Sequence, residues 1–261
     1  MTELTQLFPR STTPRADYAR ADLTALVTRL HAFDRRVQPS VFEAVFTGRR
    51  NFAVDTPIWS QDDVAENIAV IEEGFAYRFQ IMPDGRRYVS DIYGPGAICN
   101  WSRDQDAPIR SDILFKKRTA VSLFGKDALR EVFAETPGIE TAILRHEHAR
   151  ALRASQRTRT LVVGQAPERF LHFLLDLKSE YAVAGLRYDN ARSGMTQAEI
   201  ADMLGITPVH LGRTIRSLLA EERVIRKTLT NHIVVRPEEE SRSLAYVDHM
   251  HRPPADSARS A

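Results

Sequence analysis

Nine residues near the C-terminal end, Thr196, Thr207, Pro208, Val209, His210, Arg213, Thr214, Arg216 and Lys227, are of types suited to reading a nucleic-acid duplex. A guanidinium can donate two parallel hydrogen bonds to guanine O6 and N7, a small apolar group can meet a thymine methyl, and hydroxyls and cations hold phosphate oxygens. Base edges are reached only from an element slim enough to enter a major groove. The stretch 196–219, TQAEIADMLGITPVHLGRTIRSLL, is punctuated as two short helices at a sharp turn. Thr196 with Glu199 three residues on is a capping box, after which Ile200, Met203 and Leu204 share an apolar face. Gly205 supplies a left-handed helix stop, and Thr207 and Pro208 open the next helix as N-cap and first-turn proline. Val209, Leu211, Ile215, Leu218 and Leu219 are its candidate anchors, leaving His210, Arg213, Thr214 and Arg216 for phosphates or base edges. An ordinary helical hairpin with solvated charges would carry similar punctuation, so the residues after Leu219 must discriminate between the two. Val224-Ile225, the polar run 226–231 and His232-Ile233-Val234-Val235 read as strand, turn and strand, the wing behind a recognition helix. Arg226 and Lys227 then lie where a wing touches phosphate, or at a solvated hairpin tip.

Other chemistries find little support. The chain has 261 residues, 43% hydrophobic and 27% charged, the composition of a soluble folded protein with room for two domains. A formal net charge of only +2 means that any nucleic-acid surface must be a local patch. The single cysteine, Cys99, allows neither an intrachain disulfide nor a four-cysteine cluster, and it reads as a small buried hydrophobe rather than a reactive thiol. His146 and His148 stand two apart on a predicted helix, hence on different faces; they cannot share a metal, and both are expected in solvent. The start of the chain has no leader-like apolar core, and no run approaches the ~20 apolar residues that span a bilayer. No membrane partner, metal or cofactor is expected, and the compartment is expected to be the cytoplasm.

The elements that must position the reading helices are equally legible. Residues 1–18 are polar and aperiodic. Asp22 is expected to cap a helix whose Leu23, Leu26, Val27, Leu30 and Phe33 form one stripe. From 41 to 135 short strands are predicted at 56–59, 68–72, 75–81, 87–93, 97–99, 113–115 and 119–124, with turns at Pro83-Asp84-Gly85 and Gly94-Pro95-Gly96, the pattern of an antiparallel sandwich or roll. That segment contains no histidine, so a metal enzyme built on such a barrel is not expected. A short helix at 126–133 leads to a long one from Pro137 to Val163, where Ala149, Ala151 and Ala154 would allow a second helix close approach, although the basic run 145–159 argues against a regular coiled coil. Another amphipathic helix begins near Pro167 with Phe170, Phe173, Leu174, Leu177 and Tyr181 on one side, and Glu238 to Met250 is predicted as a last helix over the winged unit.

This order, with Glu73-Gly74-Phe75-Ala76, the hairpin 83–87, Gly94-Pro95-Gly96 and the run Gly205 to Thr214, resembles the Crp/Fnr family of bacterial transcription regulators over roughly residues 20–236. Pro208-Val209-His210 is similar to a branch common in alphaproteobacteria. The resemblance implies an α+β chain: a flexible lead-in at 1–18, an antiparallel β-roll (double-stranded β-helix) sensor domain at 19–136, a dimerisation helix at 137–163, a winged helix-turn-helix at 164–237, and a C-terminal helix and tail at 238–261. It further implies a homodimer on a pseudo-palindromic operator of double-stranded DNA, an effector site inside the roll, and RNA polymerase as a possible partner.

Departures from the family pattern sharpen these expectations. Its cyclic-AMP-binding members hold the ribose with a Gly-Glu pair, the phosphate with Arg-Ser and the base with Thr-Ser. Here Asn100-Trp101 and Ala154-Ser155 replace the first and last, and Arg110-Ser111 survives, or else Arg110 is a loop cation. The ribose hydroxyl would lose its carboxylate partner at a cost of ~1–3 kcal/mol, so the roll is expected to carry either an unidentified small effector other than cyclic AMP, facing Asn100, Trp101, Arg110, Ser111 and Ser155, or none. The recognition helix also lacks the family's glutamate. Arg213 is therefore expected to read guanine, Val209 a thymine methyl, and His210 a phosphate or a base. The alternative is an effector-binding module that works through protein contacts without DNA.

Overall fold

A computed structural model describes residues 21–59, 64–102, 111–187, 193–227, 232–235 and 237–250. The lead-in, Arg110 and the last eleven residues lie outside them. Two short helices, α1 (Thr24–His31) and α2 (Pro39–Ala44), precede the strands β1 (Phe46–Phe52), β2 (Thr56–Pro57), β3 (Asn67–Glu73), β4 (Ala76–Ile81), β5 (Arg87–Tyr93), β6 (Asp112–Phe115) and β7 (Thr119–Gly125). They form two antiparallel sheets of order β1-β7-β3 and β2-β6-β4-β5, and an isolated antiparallel bridge from Val70 of β3 to Ile98 lays the segment after β5 on the edge of the first. β3 shows why the roll holds. Ala69 and Ile71 join Phe115 and Val121 in the roll interior, while Ile68 and Val70 join Phe42, Phe124 and Ile143 beneath the helices. A strand buried on both faces must be nearly continuous in apolar residues, as NIAVI is, and each such Ile or Val contributes about 1.5–3 kcal/mol.

The corner Gly94-Pro95-Gly96 is a docking point. Gly96 has φ +74°, and a Cβ there would lie 2.3 Å from the Ala25 carbonyl oxygen, so only glycine lets α1 pack onto the turn. Arg29 of α1 donates to Pro95 O at 2.8 Å, and Gly94 N donates to Glu180 at 2.8 Å.

After α3 (Lys126–Glu135) come the long α4 (Pro137–Val163), α5 (Ala166–Ala182), α6 (Gln197–Leu204), α7 (Pro208–Ala220), the ribbon β8 (Val224–Lys227) and β9 (His232–Val235), and α8 (Pro237–Ser243). The sequence pattern carries no mark of β1 or α2, and the final helix stops at Ser243, seven residues before Met250. Among the described residues no helix is long and apolar enough to cross a membrane.

The inner face of α4 is charged yet buried. Arg150 and Arg153 both pair with Asp91 of β5 and Glu180 of α5, and Arg157 pairs with Asp91 and with Asp176 of α5. Arg29 adds a further ion pair to Glu180 at 2.9 Å. His146 is fully buried, not solvated, with its ring beside Arg29 and Glu147; burial above all holds its pKa down. His148 is exposed as expected. Buried carboxylates far away in sequence draw these cations inward, and further donors of Arg150 and Arg157 meet the carbonyls Ile92 O and Ser90 O, while Arg153 Nε is left without a partner.

Candidate nucleic-acid interface

The two reading helices are built as their punctuation requires. Thr196 Oγ1 accepts from Glu199 N at 3.2 Å while Glu199 accepts from Thr196 N at 2.7 Å, the reciprocal cap of α6. Gly205 sits at φ +65°, ψ +34°, ending α6 in the left-handed region. Thr207 Oγ1 then accepts from His210 N at 3.2 Å, and Pro208 fills the first turn of α7. Leu211, Ile215 and Leu218 are buried against Ala201, Met203 and Leu204 of α6 and the phenylalanines of α5. The remaining face of α7 carries Val209 at 66% exposure together with exposed Pro208, His210, Arg213 and Arg216. Among the described residues neither Arg213 nor Arg216 has an ion-pair partner. Residues 209, 213 and 216 are spaced four and three apart, so an apolar tip and two uncompensated cations share one side of a rigidly anchored helix.

The structure sorts the nine candidates. Thr196 and Thr207 are exposed N-caps beside that face. Thr214 is only 5% exposed and faces the packed interior, which removes it from the interface: it follows Arg213 by one residue and so points about 100° away. Lys227 ends β8 of the wing, and its side chain lies outside the described atoms. A further set of residues, which the sequence did not single out, fixes α6 to the roll. Tyr77 Oη donates to Glu199 at 2.8 Å, Lys116 Nζ pairs with Glu199 at 3.0 Å and with Asp55, and Arg87 pairs with Asp202 at 2.7 Å. Burial by itself would raise the Glu199 pKa, but the Thr196 amide, Lys116 and Tyr77 together keep it below its ordinary value. Glu199 looked like a helix cap alone, because its roll partners are about 80 and 120 residues distant.

The effector candidates do not converge. Asn100 is buried with its amide spent on β3, accepting from Ala69 N at 3.0 Å and donating to Asn67 O at 2.8 Å. Trp101 packs edge-on against Phe133 at 5.4 Å, on the helix side of the sheet. Ser111 is half-buried, and Ser155 is exposed on the outer face of α4. Where α4 meets the roll, Arg150 lies 4.2 Å over the Tyr93 ring, and the buried ion network fills the space. Cys99 is fully buried, its thiol pushed up to about 12 by burial, in keeping with a small core residue.

Residues 168–240 match the family described as the Crp-like helix-turn-helix domain. Over 214 residues the chain is 25% identical to the nitrogen fixation regulation protein FixK of Azorhizobium caulinodans, covering 82% of this chain and 85% of that one. Residues 168–240 thus carry a Crp-like helix-turn-helix domain, and the chain as a whole resembles Crp/Fnr regulators. The chain is also 24% identical over 200 residues to FixK of Rhizobium meliloti, covering 75% and 88% of the two. In fold it resembles FixK2 from Bradyrhizobium japonicum, with TM-score 0.65 and 22% identity over 77% of this chain and 97% of that one. A CooA mutant from Carboxydothermus hydrogenoformans gives TM-score 0.58 at 12% identity, over 80% and 91%. The curated relatives are named as regulators, and the stretch they share with this chain includes the helix-turn-helix domain.

Proposed function

We propose that this Crp/Fnr regulator acts as a cytoplasmic homodimer that places two copies of α7 in successive major grooves of a pseudo-palindromic operator. The observation that carries the reading is the face of α7: Val209, Arg213 and Arg216 exposed together, two of them cations without an internal partner, on a helix whose opposite side is fully anchored. Arg213 is assigned to guanine, Val209 to a thymine methyl, His210 to a phosphate or a base, and Thr196, Thr207, Arg216 and Lys227 to phosphates.

The dimer seam is assigned to the outer face of α4. Leu144, His148, Ala151, Ser155, Thr158 and Val162 recur at alternating intervals of four and three, all but half-buried Leu144 are exposed, and none carries an acidic or guanidinium group. Val162 and Val163 are about three-quarters exposed. The basic run that argued against a coiled coil turns its buried arginines away from this stripe. Ala149, one of the three small residues expected at the seam, instead lies under Met250 of the same chain.

Selection of bound sites from random duplexes tests the whole reading. A two-fold-symmetric consensus with half-sites about 34 Å apart is expected, and its binding should weaken steeply with salt as phosphate contacts release counterions. A monomer, or an affinity flat in salt, would refute it. The roll is assigned no cyclic-AMP site: it carries another small effector or none. Trp101, packed on Phe133, is the reporter: titrating cyclic AMP is expected to leave its fluorescence unchanged, and tight saturable quenching would overturn that assignment.

A further inference from the structure

We propose that residues 244–250, beyond the stretch that matches the helix-turn-helix family, form an intramolecular strap that fixes the reading unit on the long helix and thereby sets its affinity for DNA. The proposal rests on the DNA-reading function argued above.

The strap starts at the base of the recognition helix. Arg223, just after α7, forks onto Glu240 of α8 at 2.7 and 2.5 Å. At Ala245 the backbone turns through φ +48°, a left-handed conformation that a residue with a Cβ adopts only where its surroundings hold it there. The holding group is Arg159 of α4, whose Nη2 donates to Leu244 O at 3.1 Å and to Ala245 O at 3.3 Å. One turn back on α4, Gln156 brackets Val247: its Oε1 accepts from Val247 N at 2.9 Å and its Nε2 donates to Val247 O at 3.3 Å. A side-chain amide placed this way grips the extended backbone itself.

Contacts with α5 complete the attachment. Tyr246 Oη donates to Asp176 at 3.1 Å, with its ring edge-on to His172, and Ser179 Oγ donates to Asp248 at 2.7 Å. Met250 ends the run at 1% exposure, against Ala149 of α4, Val183 after α5, and Ala32 and Phe33 after α1. The segment therefore begins beside α7, crosses α4 and α5, and finishes on the sensor. In the chain itself those two helices are joined only through the extended Gly164-Gln165 step. Pivoting of α5 on α4 at that step requires the strap to let go as well as the buried pairs of Arg150, Arg153 and Arg157 with Glu180 and Asp176.

The test compares the full chain with a chain ended after Ser243, using two readouts: protease cleavage at the 163–165 junction, and affinity for the operator selected by the full chain. Loss of the strap is expected to speed junction cleavage and to weaken operator binding, each by about ten-fold or more, equivalent to at least one closed contact. Should the shortened chain fail to fold, Gln156→Ala combined with Arg159→Ala in the full chain removes the backbone grips and is read in the same way. Unchanged cleavage overturns the strap, and faster cleavage with undiminished affinity overturns its role in DNA binding. If the full chain itself binds no duplex, it is the DNA-reading function that fails, and the cleavage rates still decide whether the strap holds the junction.

Discussion

Glu180→Gln is expected to destabilise the fold by about 3–5 kcal/mol, the range for removing one partner from a buried ion pair. The side chain is fully buried, and three guanidiniums converge on it: Arg29 at 2.9 Å, Arg150 at 3.4 Å, and Arg153. It also accepts the Gly94 amide. Glutamine keeps the volume and one acceptor but leaves Arg29 in the interior without a counter-charge and Arg150 and Arg153 with Asp91 alone, and these cations cannot deprotonate to escape. Four helices and strands lose their common anchor at once, since α1, β5, α4 and α5 all meet at this cluster. The measurement is the urea midpoint, which should fall without a change in slope if folding remains two-state. A midpoint equal to that of the parent would show that the cluster contributes no net stability. The pH dependence has the same origin. Burial by itself would raise the Glu180 pKa, yet Arg29, Arg153, Arg150 and the Gly94 amide outweigh it and hold the carboxyl well below its ordinary value. A depressed carboxyl contributes its stability in full above the unfolded pKa of about 4.3, and that stability drains away as pH falls towards the folded value. The Gln variant should therefore lose much of the parent's acid sensitivity.

The reading helices were legible because their signals are local. Thr196, Glu199, Gly205, Thr207 and Pro208 act on backbone groups within four residues, and the helix bounds that they dictate are those observed. The same holds for α4, opened by Pro137 and closed before Gly164. Charges on α4 behave differently. Arg150, Arg153 and Arg157 recur at three and four like any solvated helix face, and only Asp91, Asp176 and Glu180, brought in by the fold, reverse the direction in which they point. β1 escaped notice for a related reason: FTGRRNF has no alternation of its own and is a strand through its pairing with β7. Asn100 illustrates the limit of matching positions to a family pattern. A motif shows which residue stands at a place, whereas the hydrogen bonds to Ala69 and Asn67 show that its amide is already committed.

Arg213→Ala is expected to cost about 1–3 kcal/mol per half-site on the selected operator, roughly ten- to hundred-fold, and to relax preference at one base pair in each half. The two effects belong together because the guanidinium donates in parallel to two acceptors of one guanine, so its removal forfeits both affinity and choice. The structure makes the experiment clean. Arg213 is exposed, makes no ion pair among the described residues, and sits between the buried anchors Leu211 and Ile215, so truncating it should leave α7 seated and the urea midpoint within about 0.5 kcal/mol of the parent. Arg213→Lys provides the chemical control: a lysine keeps the charge but not the fork, and should retain phosphate-type attraction while losing most of the base preference. Lys227→Ala, on the wing, should instead weaken all sequences alike and reduce the steepness of the salt dependence by about one contact per protomer. Equal losses from Arg213→Ala on cognate and random duplexes would mean that Arg213 holds only phosphate, and base choice would then have to come from Val209, His210 and the shape of the DNA.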